Sequence, residues 1–185
     1  WAGAFWFRGL TPAALSAAVF ITLLIGILLT DAQHFIIPDE MSLGGLALGL
    51  VLAFVTPIGW TSALIGALAG YLLLWVVKAG GDLALQKGWI GGQEIRDTLG
   101  DAEPLTAMGG GDLKMMAMIG AFLGWRGVLL TVFLGALVGT LIYLPFFFRK
   151  TKPLVPFGIY LALGAFVTLL AGERLTDWYA RMLVP

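Results

Sequence analysis

Asp31 and Asp112 are the residues of this sequence on which chemistry can be built. Asp31 closes one apolar run, ITLLIGILLTD, and Asp112 opens another, GGGDLKMMAMIGAFLGW. Ionisable groups at the border of hydrocarbon are costly and mark functional sites by default. Two carboxylates brought close together cannot both ionise cheaply and hold one proton between them. The ionised member then serves as general base on a water, while the protonated member donates to a carbonyl oxygen. That apparatus hydrolyses a peptide bond without a metal or a covalent intermediate, and its titration belongs to the pair. Gly109 and Gly111 beside Asp112 add backbone that a peptide can approach closely, as an extended substrate requires.

The elements that must bring the two acids together are membrane helices. Of 185 residues, 59% are hydrophobic and 12% charged, with mean hydropathy +0.95. The apolar residues come in helix-length runs, and a bilayer admits only helices or closed barrels. The expected fold is an all-α polytopic bundle of about six transmembrane helices, at 13–30, 43–57, 60–78, 113–124, 127–148 and 154–172. A Gly-rich cytoplasmic loop, 79–111, interrupts them, with a short helix expected around Gln93–Leu99. The chain reads as a single membrane-embedded domain over 1–185. Residues 1–12 are the stump of a preceding helix, and 173–185 an interfacial tail. Alternating the crossings puts Asp31 and Asp112 at one face. That face carries Lys78, Lys87, Arg96, Lys114, Arg149, Lys150 and Lys152, against Arg8, Arg126, Arg174 and Arg181 on the other. The excess of Lys and Arg makes it the cytoplasmic face.

Composition also excludes. A net charge of zero gives no electrostatic footprint for nucleic acid. With no cysteine, disulfides, thiolate nucleophiles and cysteine metal sites are ruled out, and the single His34 cannot build a histidine metal site. Plainer readings of the acids stay open on these grounds alone. Asp112 after three glycines fits an ordinary helix N-cap, and Asp31 fits an interfacial helix end. Lys114 fits either a charge that tunes the pair or binds a substrate acid, or a lysine snorkelling to the interface. An ion- or proton-coupled transporter using Asp31 and Asp112 as a relay is the alternative function, although acids at one face and the lack of an internal repeat fit it poorly. Met115, Met116 and Met118 read as packing, and Trp60, Trp75, Trp89 and Trp125 as interfacial anchors.

Three stretches carry a family resemblance: Asp31–Asp39 (DAQHFIIPD), Ala107–Trp125 (AMGGGDLKMMAMIGAFLGW) and Pro156–Ala165 (PFGIYLALGA). In order and spacing the sequence resembles the type IV prepilin peptidases, within the GxGD aspartyl proteases. The resemblance implies that Asp31 and Asp112 are the catalytic pair. Asp39 matches the other acid of the first motif; it is expected to turn the chain after Pro38 and cap the helix over 43–57, and it is the best competitor to Asp31 for the role of first catalytic acid. The resemblance makes Pro156, Phe157 and Gly158 a wall of the active site. It implies an aspartic endopeptidase of the bacterial inner membrane, facing the cytoplasm, that needs no cofactor. Its substrate would be a prepilin or pseudopilin, cut after a glycine. Relatives that also methylate the new N-terminus carry a further domain, often with paired cysteines. The expectation for this chain is cleavage without a complete methyltransferase. Ile159 stands where the family usually has proline.

Overall fold

The computed structural model describes residue 9 and residues 11–89, 106–148 and 157–183. Among them are five helices and no strand: α1 Pro12–His34, α2 Asp39–Leu52, α3 Trp60–Gln86, α4 Gly110–Phe148 and α5 Phe157–Leu183. Three are long and apolar enough to cross a membrane, namely Pro12–His34, Trp60–Gln86 and the Gly110–Leu144 part of α4. The apolar part of α5, Phe157–Gly172, is shorter. Helix α2 has 14 residues, about 21 Å at 1.5 Å per residue, against a hydrocarbon core of about 30 Å.

Local chemistry sets the helix ends near the two acids. Thr11 caps α1 by accepting from the Ala14 N–H at 3.2 Å, and Pro12 occupies its first turn. The other end of α1 closes on Phe35, a non-glycine residue in the left-handed region (φ 55°), whose N–H bonds to the Asp31 carbonyl at 3.0 Å. Helix α3 stops on Gly88 (φ 71°): the Gly88 N–H reaches the Leu85 carbonyl and the Trp89 N–H the Ala84 carbonyl, a Schellman ending.

Several boundaries differ from the sequence expectation, each for a local reason. The polar stretch expected to be loop from residue 79 is helical as far as Gln86, with Lys78 and Asp82 paired one turn apart at 2.9 Å. The expected segments 113–124 and 127–148 have no loop between them. They join inside α4 at Gly124, whose φ of 70° and ψ of 178° break the helix in one residue. The segment expected over 43–57 ends at Leu52, and the tail expected from 173 continues as helix to Leu183. The helix expected at Gln93–Leu99, the basic loop 149–153 and the first eight residues lie outside the described residues.

The break at Gly124 lets α4 pack on two sets of neighbours. Before it, Gly66 and Gly70 of α3 lie against the backbone of Gly120 and Met116, and Gly49 of α2 lies against Phe122 and Ala121. Beyond it, Gly135 and Gly139 meet Tyr160 of α5, and Gly164 meets the Thr131 carbonyl. Gly111 and Gly158 touch the same residue, Ile37, so the second leg of α4 returns toward the end from which the first set out. Small residues four apart let helices approach backbone to backbone, where dispersion and not burial from water drives association. The core between these legs contains the fully buried Met115, Met116 and Met118, with Phe20 stacked on Phe122 at 4.8 Å between centroids.

A methyl at Gly120 has backbone for its neighbour and nowhere to go, whereas Gly44 faces open space. Gly120→Ala should therefore destabilise the protein by about 1–3 kcal/mol through overpacking. Gly44→Ala should be neutral or stabilising by up to about 1 kcal/mol through lower backbone entropy. Equilibrium unfolding of the two variants in mixed micelles checks the contrast.

Candidate active site

Asp31 lies in the last turn of α1 and Asp112 in the first turn of α4. They are 5% and 8% exposed, which makes them the buried acids among the described residues. Asp112 follows two helical residues and so sits within the first turn, not at the cap position.

Glycines create the space the acids occupy. A methyl added at Gly158 would stand 2.5 Å from Asp31 Oδ2 and 3.1 Å from Ile37 Cδ1, and one at Gly111 would stand 2.9 Å from Ile37 Cβ. Ile37 is thus wedged between the start of α4 and the start of α5, next to Asp31. The Asp31 carboxylate faces the Gly158 and Ile159 backbone amides at the start of α5, and its buried Oδ2 has no hydrogen-bond partner among the described residues. An oxygen buried in that condition has capacity left for a water or a proton. On the other side, Gly109 stands over Asp112, with an added methyl 3.6 Å from Asp112 Oδ2.

The stretch that holds this geometry is also what the comparison with known proteins picks out. A model of the type IV leader peptidase family matches residues 18–144, which include Asp31, Ile37, Gly111 and Asp112. The chain belongs to this family. It is 33% identical over 180 residues to a prepilin leader peptidase/N-methyltransferase of Aeromonas salmonicida strain A449, covering 92% of this chain and 54% of that protein. A protein of the same description from Pseudomonas aeruginosa is 34% identical over 178 residues, 94% of this chain and 55% of the other. One from Xanthomonas campestris is 30% identical over 185 residues, covering 98% and 56%. The chain spans about half the length of these curated relatives. No solved structure matches it.

The other residues expected at the site of this leader peptidase family member separate into two groups. Gly158 stands against Asp31, Gly109 over Asp112 and Gly111 against Ile37, and half-exposed Phe157 opens α5. Pro156 lies outside the described residues. Asp39 and Lys114 form a group of their own. Lys114 Nζ reaches both Asp39 oxygens at 2.7 Å, tying the start of α2 to the first turn of α4. The expectation that Asp39 caps the next helix is therefore corrected. Pro38 holds the cap position, no side chain bonds the free amides there, and the Asp39 carboxylate is committed to Lys114. His34 ends α1 with an exposed side chain.

Sequence reasoning missed Ile37. An isoleucine between two charged motifs carries no chemical signal, and its role appears only once Gly111 and Gly158 are seen to make room for it. Burial sets the expected energies apart. The Asp39 side chain is 56% exposed, so Asp39→Asn should cost no more than about 1 kcal/mol. Gly158→Ala forces a methyl into Asp31 and Ile37 and should cost about 1–3 kcal/mol. Unfolding titrations of the two variants measure both.

Proposed function

We propose that this chain is a membrane aspartyl endopeptidase that removes the leader of type IV prepilins or pseudopilins, cutting after a glycine on the cytoplasmic side. The observation that carries the reading is the burial of both Asp31 and Asp112, with Gly158 of α5 against Asp31, Gly109 over Asp112, and Ile37 between Gly158 and Gly111. Family membership and the relatives' shared description as prepilin leader peptidases supply the substrate class. Only the peptidase half of that double description is carried over, because a pair of carboxylates performs hydrolysis.

The chemistry follows from two acids sharing one proton in a low-dielectric setting. The ionised carboxylate takes a proton from a water as its oxygen bonds to the scissile carbonyl carbon. The protonated carboxyl gives its proton to the carbonyl oxygen, producing a neutral tetrahedral intermediate. Collapse of that intermediate returns a proton through the dyad to the departing nitrogen. The C–N bond breaks, leaving a leader acid and a new amine. No metal or organic cofactor enters these steps.

The location suits a substrate consisting of a basic leader, a glycine and a long apolar helix. The apolar helix lies in the bilayer beside the bundle, and the bond to be cut falls at the interface where α1 ends and α4 begins. Lys78, Lys87 and Lys114 cluster at that end, which supports a cytoplasmic orientation in the inner membrane. Arg126 and Arg174 line a cavity of about 650 Å³ with Ala13 and Thr56, at the opposite end. The six-crossing reading takes the two legs of α4 separately, together with α1, α2, α3 and α5; three helices among the described residues are long and apolar enough to cross by themselves.

Asp31→Asn and Asp112→Asn, assayed in membranes on a prepilin, should each abolish the shortened product, a loss on the order of a thousandfold or more. Asp39→Asn should cleave near the normal rate. Normal cleavage by either of the first two variants would sink the dyad, and loss of cleavage only in the Asp39 variant would name a different first acid.

A further inference from the structure

Three glycines precede Asp112, and a glycine run does not by itself hold a backbone in place. The segment that leads into them is fastened from outside. Asp82, in the extension of α3 beyond the expected span, accepts the Ala107 N–H on Oδ1 at 2.6 Å. Its Oδ2 takes Lys78 Nζ at 2.9 Å, and both side chains are 23% exposed. Gly81 beside it permits the contact, since a methyl there would stand 2.6 Å from Ala107 Cβ. From Ala107 the chain passes through Met108, which packs against the core, to Gly109, which stands over Asp112 Oδ2.

We propose that Asp82 is a positioning residue: by pinning Ala107 to α3 it sets the backbone of residues 107–111 and hence the Asp112 carboxylate relative to Asp31. The inference rests on the dyad reading above for its consequence in catalysis, but not for the clamp itself. An ordinary pair of charges one helical turn apart would account for Lys78 and Oδ2. It would not account for the second oxygen on Ala107, nor for a glycine at 81 where a side chain would push Ala107 away. A carboxylate that accepts a backbone N–H with a lysine on its other oxygen makes a charge-assisted bond, stronger than a neutral one. Only Met108 and Gly109 separate Ala107 from the first turn of α4, which carries Asp112, so a loosened anchor displaces Asp112 on the scale that matters for proton transfer.

The test uses the full chain in membranes or nanodiscs with two readouts. One is the kcat and KM for prepilin cleavage. The other is amide hydrogen exchange of the 106–110 segment, with the 115–122 segment as an internal standard of folding. Asp82→Ala should lower kcat about tenfold or more with little change in KM, and should speed exchange of 106–110 while 115–122 stays protected. Asp82→Asn keeps an oxygen acceptor and should stay within about threefold of wild type on both readouts. Gly81→Val, which leaves every charge in place, should behave like Asp82→Ala. Lys78→Met should resemble Asp82→Asn. If Asp82→Ala leaves 106–110 exchange and kcat unchanged, or if Lys78→Met is as damaging as Asp82→Ala, the clamp is wrong. If the 106–110 segment loosens as expected while Asp31→Asn and Asp112→Asn still cleave, the clamp stands and the protease reading fails.

Discussion

Asp31 and Asp112 are buried where the elements around them approach one another at glycine. Any larger residue at Gly158 would occupy the place of the Asp31 carboxylate, and one at Gly111 would displace Ile37. The same condition repeats away from the pocket, where Gly66 and Gly120 bring the α3 and α4 backbones into contact and Gly135 and Gly164 do so for α4 and α5. In a bilayer there is little gain from hiding apolar surface between helices, so close approach and satisfied backbone bonds are what hold them. The acids are placed by these contacts and not by their own charge.

Charge then acts locally around a geometry already set. Asp31 faces the backbone amides that open α5, while Lys114 and Lys78 are committed to other acids. Lys114, two residues after Asp112, holds Asp39 at 2.7 Å, and Lys78 holds Asp82 at 2.9 Å. Both ion pairs are partly exposed, so neither contributes much energy. Their effect is geometric. One fixes the start of α2 against α4, and the other fastens the approach to the glycine run. Between them they flank the strand of chain that delivers Asp112.

Much of this was legible in the residues. Long apolar runs declare membrane helices, because hydrocarbon leaves no other use for them. Asp31 and Asp112 stand out because acids at the edge of such runs need a reason. The motifs around them lead to the family without any coordinates. What misled was the reading of polarity and glycine as loop. The stretch after residue 79 contains two glycines and an aspartate, yet remains helical as far as Gln86, with Lys78 and Asp82 paired one turn apart along it. The two segments on either side of Gly124 looked like separate spans, and only one left-handed residue separates them. Asp39 looked like a cap and turned out to be an ion-pair partner, since nothing local in DAQHFIIPD announces a lysine 75 positions later.

The sequence by itself determined the solvent, the helical class, the two acids and the family, because each rests on residue type and short spacing. The tertiary structure alone decided which side chains surround those acids. Ile37 wedged between Gly111 and Gly158, the Gly158 and Ile159 amides facing Asp31, and Asp82 holding Ala107 all join residues tens of positions apart. Their partnerships depend on how closely helices approach, and the distance between two helices is a property of packed surfaces that no stretch of sequence carries alone.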